Sequence, residues 1–501
     1  MSGIDSHDSN DTVTPPRGAY FVSRVRAAEE VLLARVPEGS LMRRAAFGLA
    51  TRTAALLAEH TGGVSGRQVG LLVGAGNNGG DALWAGAFLR RQGVAVTAVL
   101  LDPRRAHPEG LAALRRSGGR VRDQLPEHAH MVLDGIVGLA GKGALRPEAA
   151  DLVAAVRAPI IAVDSPSGVD PDTGTADGPA VSAAATVTFG ALKPVHLLAP
   201  WRCGPVHLVD IGLAPLLGDP DLRSPAAAEI GALWPVPSPS SDKYTQGVLG
   251  VAAGSADYPG AAVLCAGAAV LATSGMVRYA GTAADAVRAR WPEVVATGSV
   301  SDAGQVQAWA VGPGMGTGAA GRQVLAHVLA AGVPVVADAD AITLLARHPE
   351  LADQRDPDTP LVLTPHDREF ERLTGAAPGR DRVAAARRAA ARFDAILLLK
   401  GNTTVVAAPD GRVLAHAARS AWAATAGSGD VLTGLIGKLL AAGLEPATAA
   451  AAAVHTHELA ATLAARGGSS TGIGAPAPAS ALQVALSDAI RTLRGMAGKR
   501  G

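Results

Sequence analysis

From Arg24 onward, short apolar runs alternate with longer stretches rich in Ala, Leu and Arg. The first series reads "VGLLVG", "VAVTAVLL", "HMVLDGI", "PIIAVD" and "AATVTFG". Such alternation predicts βαβ units and a mainly parallel sheet. The pattern breaks around "APLLGDPDLRSPAAAEIGALWPVPSPSSDKY", where Pro, Ser and charge accumulate without strand periodicity, as expected of an interdomain connection. A second series begins at "GVLGVAAGS" and continues through "AWAVGPGMG", "VPVVADAD", "LVLTP", "AILLLKG" and "TTVVAAPDG". No motif of one series aligns with the other, so the chain reads as two unlike α/β domains and not as a repeat. The expected organisation is a disordered lead-in over 1–20, a first domain over 21–213, a linker over 214–242 and a second domain over 243–495.

Composition removes several function classes. Lys plus Arg number 45 against 44 Asp plus Glu, so no long-range field gathers a phosphate backbone, and small molecules are better candidates than nucleic acid. The two cysteines, Cys203 and Cys265, are too few for a disulfide framework and lack zinc spacing. The polar first segment has neither the apolar core of a signal peptide nor an Arg-rich face. The longest Ala-rich stretch, "PATAAAAAVHTHELAATLAARG", is broken by His, Glu and Arg, which argues against a membrane span. A cytoplasmic protein without membrane partners is expected; the pattern leaves a homo-oligomer open.

In the first domain, "VGAGNNGGD" (Val73 to Asp81) joins a strand to a helix expected over "DALWAGAFLRRQG". Gly74, Gly76 and Gly79 satisfy G-x-G-x-x-G, and Asp102 at the end of the next strand offers a ribose partner, so a dinucleotide turn is one reading. Two adjacent Asn and an Asp are more than that turn needs. Later strands bring Asp134 and Asp164, the latter followed by Ser167, Gly168 and Asp170, and Lys142 lies in "GLAGKGALRP". Asn77, Asn78, Asp134 and Ser167 supply oxygen ligands suited to a hard monovalent cation, while Asp164 and Lys142 suit proton transfer. Each Asp taken singly reads equally well as a loop or helix cap. His196 and His207 read as packed or surface residues.

The sharpest chemical signal of the second domain is "ATAGSGDVLTGLIGKLLAAG". Apolar residues recur with helical spacing from Val431 to Leu440, which places Gly427-Ser428-Gly429-Asp430 at a helix N-terminus, an anion site. An acid there repels a phosphate, but as general base on a substrate hydroxyl it has a purpose; an N-cap is the plainer alternative for Asp430. Lys400 and Thr403 or Thr404, at a strand end, suit nucleotide phosphate or ribose. In "LVLTPHDREFERL", Thr364 is expected as N-cap, Pro365 at the first helical position and Asp367 completing a capping box, with His366 on the exposed first turn. His455 and His457 in "HTHELAA" point to different helix faces and read as structural.

These residues carry two resemblances. "GAGNNGGD", "DGIVG", "GKG", "DSPSGVDPDTG", "GALKPVHLLAP" and "VHLVDIGL", in that order over most of 20–213, resemble the NAD(P)H-hydrate epimerase domain. That resemblance implies a Rossmann-like parallel sheet, a hydrated nicotinamide nucleotide held by Asn77, Asn78, Gly79, Gly80, Asp81, Gly138, Leu139, Ala140, Gly141, Lys142, Gly143, Ala144 and Asp164, and K⁺ on Asn78, Asp134 and Ser167. "VGPGMG", "DADAITLL", "LTPHDREFERL", "KGNTTVV" and "AGSGDVLTG", within 243–465, resemble the ADP-dependent NAD(P)H-hydrate dehydratases of the ribokinase-like fold. The implied hydrate contacts are Ala261, Gly314, Gly316, His366 and Asp430. The implied nucleotide contacts are Lys400, Gly401, Asn402, Thr403, Thr404 and Gly429, with ADP as phosphoryl donor and Mg²⁺. The expected protein is therefore a bifunctional repair enzyme: an epimerase of R and S hydrates fused to a dehydratase of the S form. The alternatives are a ribokinase-like small-molecule kinase, and a nucleotide-binding module whose first domain only senses ligand.

Overall fold

A computed structural model describes residues 17–141, 143–272, 275–467 and 474–498. The chain divides into two compact units that meet in sequence at Leu222 and Arg223. The first has seven strands, β1 (Gln68–Val73), β2 (Ala95–Leu100), β3 (Arg120–Val121), β4 (Met131–Gly135), β5 (Ile160–Val163), β6 (Ala185–Phe189) and β7 (Val206–Val209), of which all but β3 and β7 are the five apolar runs. They lie in the order β3-β2-β1-β4-β5-β6-β7, parallel throughout. The chain builds outward from β1 to β3 and then returns to add β4 on the other side of β1. The loops after β1 and β4 therefore diverge and open a crevice at the carboxyl edge, where open α/β sheets bind ligands.

In the second unit the strands are β8 (Val248–Ala252), β9 (Met276–Ala280), β10 (Val295–Thr297), β11 (Ala308–Val311), β12 (Val335–Ala337), β13 (Leu361–Leu363), β14 (Ile396–Leu399), β15 (Thr403–Ala407) and β16 (Val413–Ala417). Their order is β16-β15-β14-β13-β12-β11-β8-β9-β10. All neighbours are parallel from β14 to β10, and β15 and β16 pair antiparallel. The same reversal occurs between β8 and β11, so this sheet too has a crevice at its carboxyl edge. Helix α1 (Ser428–Ala441) covers it, burying Val431, Leu432, Leu435, Ile436, Leu439 and Leu440. At about 1.5–3 kcal/mol for each buried side chain, that face anchors the helix and fixes its polar N-terminus in place.

Four local expectations change. Of the lead-in expected to be disordered over 1–20, residues 1–16 lie outside the described residues and Arg17–Ala19 form a strand. Residues 214–242, expected as a linker, carry the strand Leu222–Ser224 and the helix Ala227–Leu233. Ile230 and Trp234 are apolar enough to pack into the core of the second unit. The helix expected from Asp81 begins at Asn77, with Gly76 before it at φ 88°. The helix expected to start at Pro365 spans Asp367–Thr374, with His366 as its N-cap. The oxygen of Pro365 accepts from the Lys400 amide at 2.9 Å, so its peptide is committed to the neighbouring strand end. Both cysteines are free and buried. Among the described residues, no helix is long and apolar enough to cross a membrane.

Candidate active sites

The first unit holds a cavity of about 710 Å³ lined by Asn77, Asn78, Asp81, Gly138, Leu139, Ala140 and Asp164, together with Glu29, Trp84 and His107. Gly79 and Gly80 lie behind that wall. A Cβ on Gly79 would stand 2.2 Å from the Gly74 oxygen, so only glycine lets the helix start this close to β1. Gly141, Gly143 and Ala144 follow the lining loop without lining the cavity, and Lys142 lies outside the described residues.

Asp164 ends β5 in the left-handed region, at φ 69°, a conformation that a non-glycine residue holds only when its surroundings enforce it. Those surroundings are polar contacts on every side. Lys193, 1 % exposed, donates to Asp164 Oδ1 and also to Thr188 Oγ1 at 2.9 Å and Phe189 O at 3.2 Å. The Thr188 hydroxyl donates to the same Oδ1 at 2.9 Å, and His196 Nε2 lies 2.9 Å from the Asp164 carbonyl oxygen. His196 is thus a packed residue, as expected. Burial, then the charges of Asp164 and Glu29, push Asp81 well above the ordinary carboxylate range. Burial also raises Glu29.

Asp134 and Ser167 form a second polar knot. Asp134 Oδ1 accepts from Ser167 Oγ at 2.6 Å and Oδ2 accepts from the Ser167 amide at 2.9 Å. Burial pushes the Asp134 carboxyl up to about 6 against those hydrogen bonds. Asn78 stands close by, with its amide nitrogen buried and unpartnered. Asp102 and Asp170 instead accept from their own turns, through the amides of Arg104 and of Asp172 and Thr173.

In the second unit the candidate residues gather along one sheet edge. Gly314, at φ 64°, has Ala261 beside it, at 3.0 Å from where its Cβ would stand, and the Gly316 amide donates to Asp340 Oδ2 at 2.9 Å. His366 Nδ1 accepts from the Glu369 amide at 3.2 Å, and Glu369 Oε2 accepts from the His366 amide at 2.9 Å. This reciprocal cap leaves the His366 ring half exposed at the edge. Lys400 Nζ donates to Asp338 Oδ1 at 2.7 Å and lies 3.7 Å from Glu369. Burial opposes the Lys400 charge, but Asp338 and Glu369 outweigh it and raise the ammonium.

Asp430 occupies the first turn of α1 while Gly427, at φ 85°, is the N-cap. Its carboxyl is therefore free of capping, and burial, followed by the charge of Asp338 and opposed by Lys400, pushes it up to about 6. Thr403 and Thr404 open β15, and Gly401 and Asn402 form the connection from Lys400. His457 Nε2 reaches the Ser428 oxygen at 2.9 Å, a structural contact.

Several residues of these sites escaped the sequence reading. Lys193 stood in view within "GALKPVHLLAP", as a lysine next to a buried strand. Asp338 directly follows the apolar "VPVVA". Nothing local marks Glu29 or Thr433, whose hydroxyl donates to Asp338 Oδ2 at 2.8 Å, because each becomes polar machinery only through what it faces.

Two parallel sheets with acids and glycine turns at their carboxyl edges define an enzyme with two nucleotide-type sites, and the family comparisons agree. Residues 38–195 match the YjeF-related protein N-terminus family, and residues 249–477 match the NAD(P)H-hydrate dehydratase family. The bifunctional NAD(P)H-hydrate repair enzyme Nnr of Mycobacterium tuberculosis is 57 % identical over 87 % of this chain and 91 % of its own length. The same enzyme of Mycobacterium leprae is 55 % identical over 90 % and 94 %. A solved ADP/ATP-dependent NAD(P)H-hydrate dehydratase from Bacillus subtilis, co-crystallised with ATP/Mg²⁺, is 28 % identical over 53 % of this chain and 97 % of its own, with a TM-score of 0.47. The chain belongs to the bifunctional NAD(P)H-hydrate repair enzymes, an epimerase domain fused to a dehydratase domain.

Proposed function

We propose that the first domain interconverts the R and S hydrates of NADH and NADPH and that the second regenerates the reduced nucleotide from the S form at the expense of ADP, in the cytoplasm. Hydroxide is a poor leaving group. Transfer of a phosphoryl group from ADP to the C6 hydroxyl releases AMP and makes a phosphate ester, and loss of that phosphate from C6 with a proton from C5 restores the C5=C6 double bond. In this reading Asp430 takes the hydroxyl proton, the amides of the Gly427–Gly429 turn and Lys400 hold the transferring phosphate, and Gly401 to Thr404 hold the rest of the nucleotide. Ala261, Gly314, Gly316 and His366 hold the hydrate.

The observation that carries the reading is Asp430: a carboxyl on an anion-binding helix turn, uncapped, beside Lys400 and raised to about 6. A phosphate site alone has no use for it. We expect Mg²⁺ on the ADP phosphates, its usual place in phosphoryl transfer. Bound there, Mg²⁺ supplies charge neutralisation.

In the first domain we assign proton movement at the C6 hydroxyl to Asp164. Lys193 and Thr188 occupy its Oδ1, which orients the carboxylate toward the cavity that it lines. Asn77, Asn78, Asp81 and the 138–144 loop hold the nucleotide, Lys142 among them. The buried Asp134 carboxylate, with no ion pair among the described residues, the Ser167 hydroxyl oxygen and the Asn78 side-chain oxygen would hold K⁺. When bound, K⁺ supplies a fixed positive charge against Asp134. The test is to incubate the protein with a mixture of R and S hydrates, Mg²⁺ and ADP, and to follow reduced-nicotinamide absorbance. Full recovery supports both activities, stable phosphorylated product selects a kinase, and binding without turnover selects a sensor.

A further inference from the structure

Asp338, at the dehydratase edge, is a buried acid with no part in the chemistry so far. Asp338 follows β12 and is 2 % exposed. Its Oδ1 accepts from Lys400 Nζ at 2.7 Å, and its Oδ2 accepts from Thr433 Oγ1 at 2.8 Å. Thr433 lies one turn into α1, and the same hydroxyl is 2.9 Å from the Gly429 oxygen. A Cβ on Gly429 would lie 3.6 Å from Asp338 Oδ2 and 3.7 Å from Lys400 Nζ, so a side chain at this position would face the ion pair.

The backbone around Asp338 is held under constraint. Ala339, the next residue, adopts φ 50° without being glycine, and the Asp338 oxygen presses on Gly312, where a Cβ would stand 1.9 Å away. Strain of this kind persists only where the surroundings over-determine it.

We infer that Asp338 is a positioning residue for the dehydration: one carboxylate holds the Lys400 ammonium with one oxygen and the Asp430-bearing turn with the other. The inference rests on the function proposed above for Asp430 and Lys400. Both oxygens of Asp338 are occupied, so it works through those two partners. Its consequence is a coupling between nucleotide and base, because the ammonium that meets the phosphate and the turn that carries the base share one anchor.

The charge of Asp338 also faces Asp430 directly. The other titratable groups around Asp430 are Lys400 and Glu369 at the sheet edge, Cys265 from the helix Pro259–Leu271 and His457 from the helix Pro446–Arg466. Asp338 raises the proton affinity of Asp430 and Lys400 lowers it, so removing the anion moves the base toward ionisation at lower pH.

The experiment compares Asp338→Asn and Thr433→Val with the wild-type chain. ADP affinity is measured by calorimetry with Mg²⁺, and kcat/KM for the S hydrate is measured across pH. Asp338→Asn should weaken ADP binding tenfold or more and shift the acid limb of kcat/KM to lower pH; a packing role alone would scale that curve without moving it. Thr433→Val keeps the Asp338–Lys400 pair, so its ADP affinity should stay within threefold while kcat falls at least fivefold. Unchanged ADP affinity with an unmoved acid limb in Asp338→Asn overturns the inference. So does a Thr433→Val variant that loses ADP affinity as strongly as Asp338→Asn, or one that keeps full kcat. If Asp338→Asn fails to fold by circular dichroism, Thr433→Val decides by the same criteria. A wild-type chain that binds ADP but restores no absorbance defeats the dehydratase reading instead, and the calorimetric comparison, which needs no turnover, still decides the Lys400 arm.

Discussion

Asp430→Asn isolates proton removal from phosphate binding. The side chain keeps its size, and the Gly427 N-cap, the first-turn amides of α1 and Lys400 all remain, so the cradle survives while its proton acceptor is lost. With the Asp430 carboxyl pushed up to about 6, the wild-type base is mostly ionised at pH 7.5, and its full contribution is at stake. General-base catalysis contributes about 10²–10⁴-fold, or roughly 2.7–5.4 kcal/mol at about 1.36 kcal/mol per decade. ADP-dependent recovery of NADH from the S hydrate should fall by that factor, with ADP affinity retained.

The pH profile carries the sign. An acid that must be ionised gives activity that rises with pH through about 6, and this limb should vanish from the residual rate of the variant. Stability should not suffer. A carboxyl whose folded pKa lies above its unfolded value costs stability as pH rises through the two, so at pH 7.5 the neutral Asn relieves a penalty. The assay is stopped-flow or steady-state absorbance with separated S hydrate, with a thermal melt of each protein alongside. A variant that retains dehydration within fivefold of the wild type, or keeps the acid limb, refutes the assignment of Asp430 as base.

Lys400→Ala should raise the KM for ADP at least tenfold and leave the KM for hydrate nearly unchanged, with a lower Tm because Asp338 loses its buried ammonium; the reverse pattern of KM values would move this strand end to the hydrate. Asp164→Asn, given mixed hydrates, should consume the S fraction at the wild-type rate and then slow to the pace of spontaneous epimerisation; a single fast phase removes Asp164 from the mechanism. Gly79→Ala forces a Cβ to within 2.2 Å of the Gly74 oxygen and should give the same slow second phase, with a first-domain destabilisation of about 1–3 kcal/mol. A single fast phase and an unchanged melt in that variant would show that the turn tolerates a side chain.

What the chain declared by itself was whatever depends on neighbours in sequence. Eleven strands were legible as short apolar runs, whereas Arg120–Val121, Val206–Val209, Met276–Ala280, Val295–Thr297 and Val413–Ala417 are too short or too polar to stand out. Gly427 to Asp430 was legible because helical spacing begins directly after it. Boundaries were less so: the helix beyond Gly76 starts four residues before the expected Asp81, and His366, not Thr364, caps its helix, because a ring nitrogen and the Glu369 carboxylate won the free amides there. The partners that give the reactive groups their character were hidden. Lys193 meets Asp164 from 29 residues away, Lys400 meets Asp338 from 62, and Thr433 meets Asp338 from 95. Such pairs form because parallel strands order their carboxyl ends side by side irrespective of their separation along the chain. Burial then strengthens each charge on the next by stripping away water. Which residues carry the chemistry is a local matter of type and spacing, whereas how strongly each holds its proton was decided only when the strands came together.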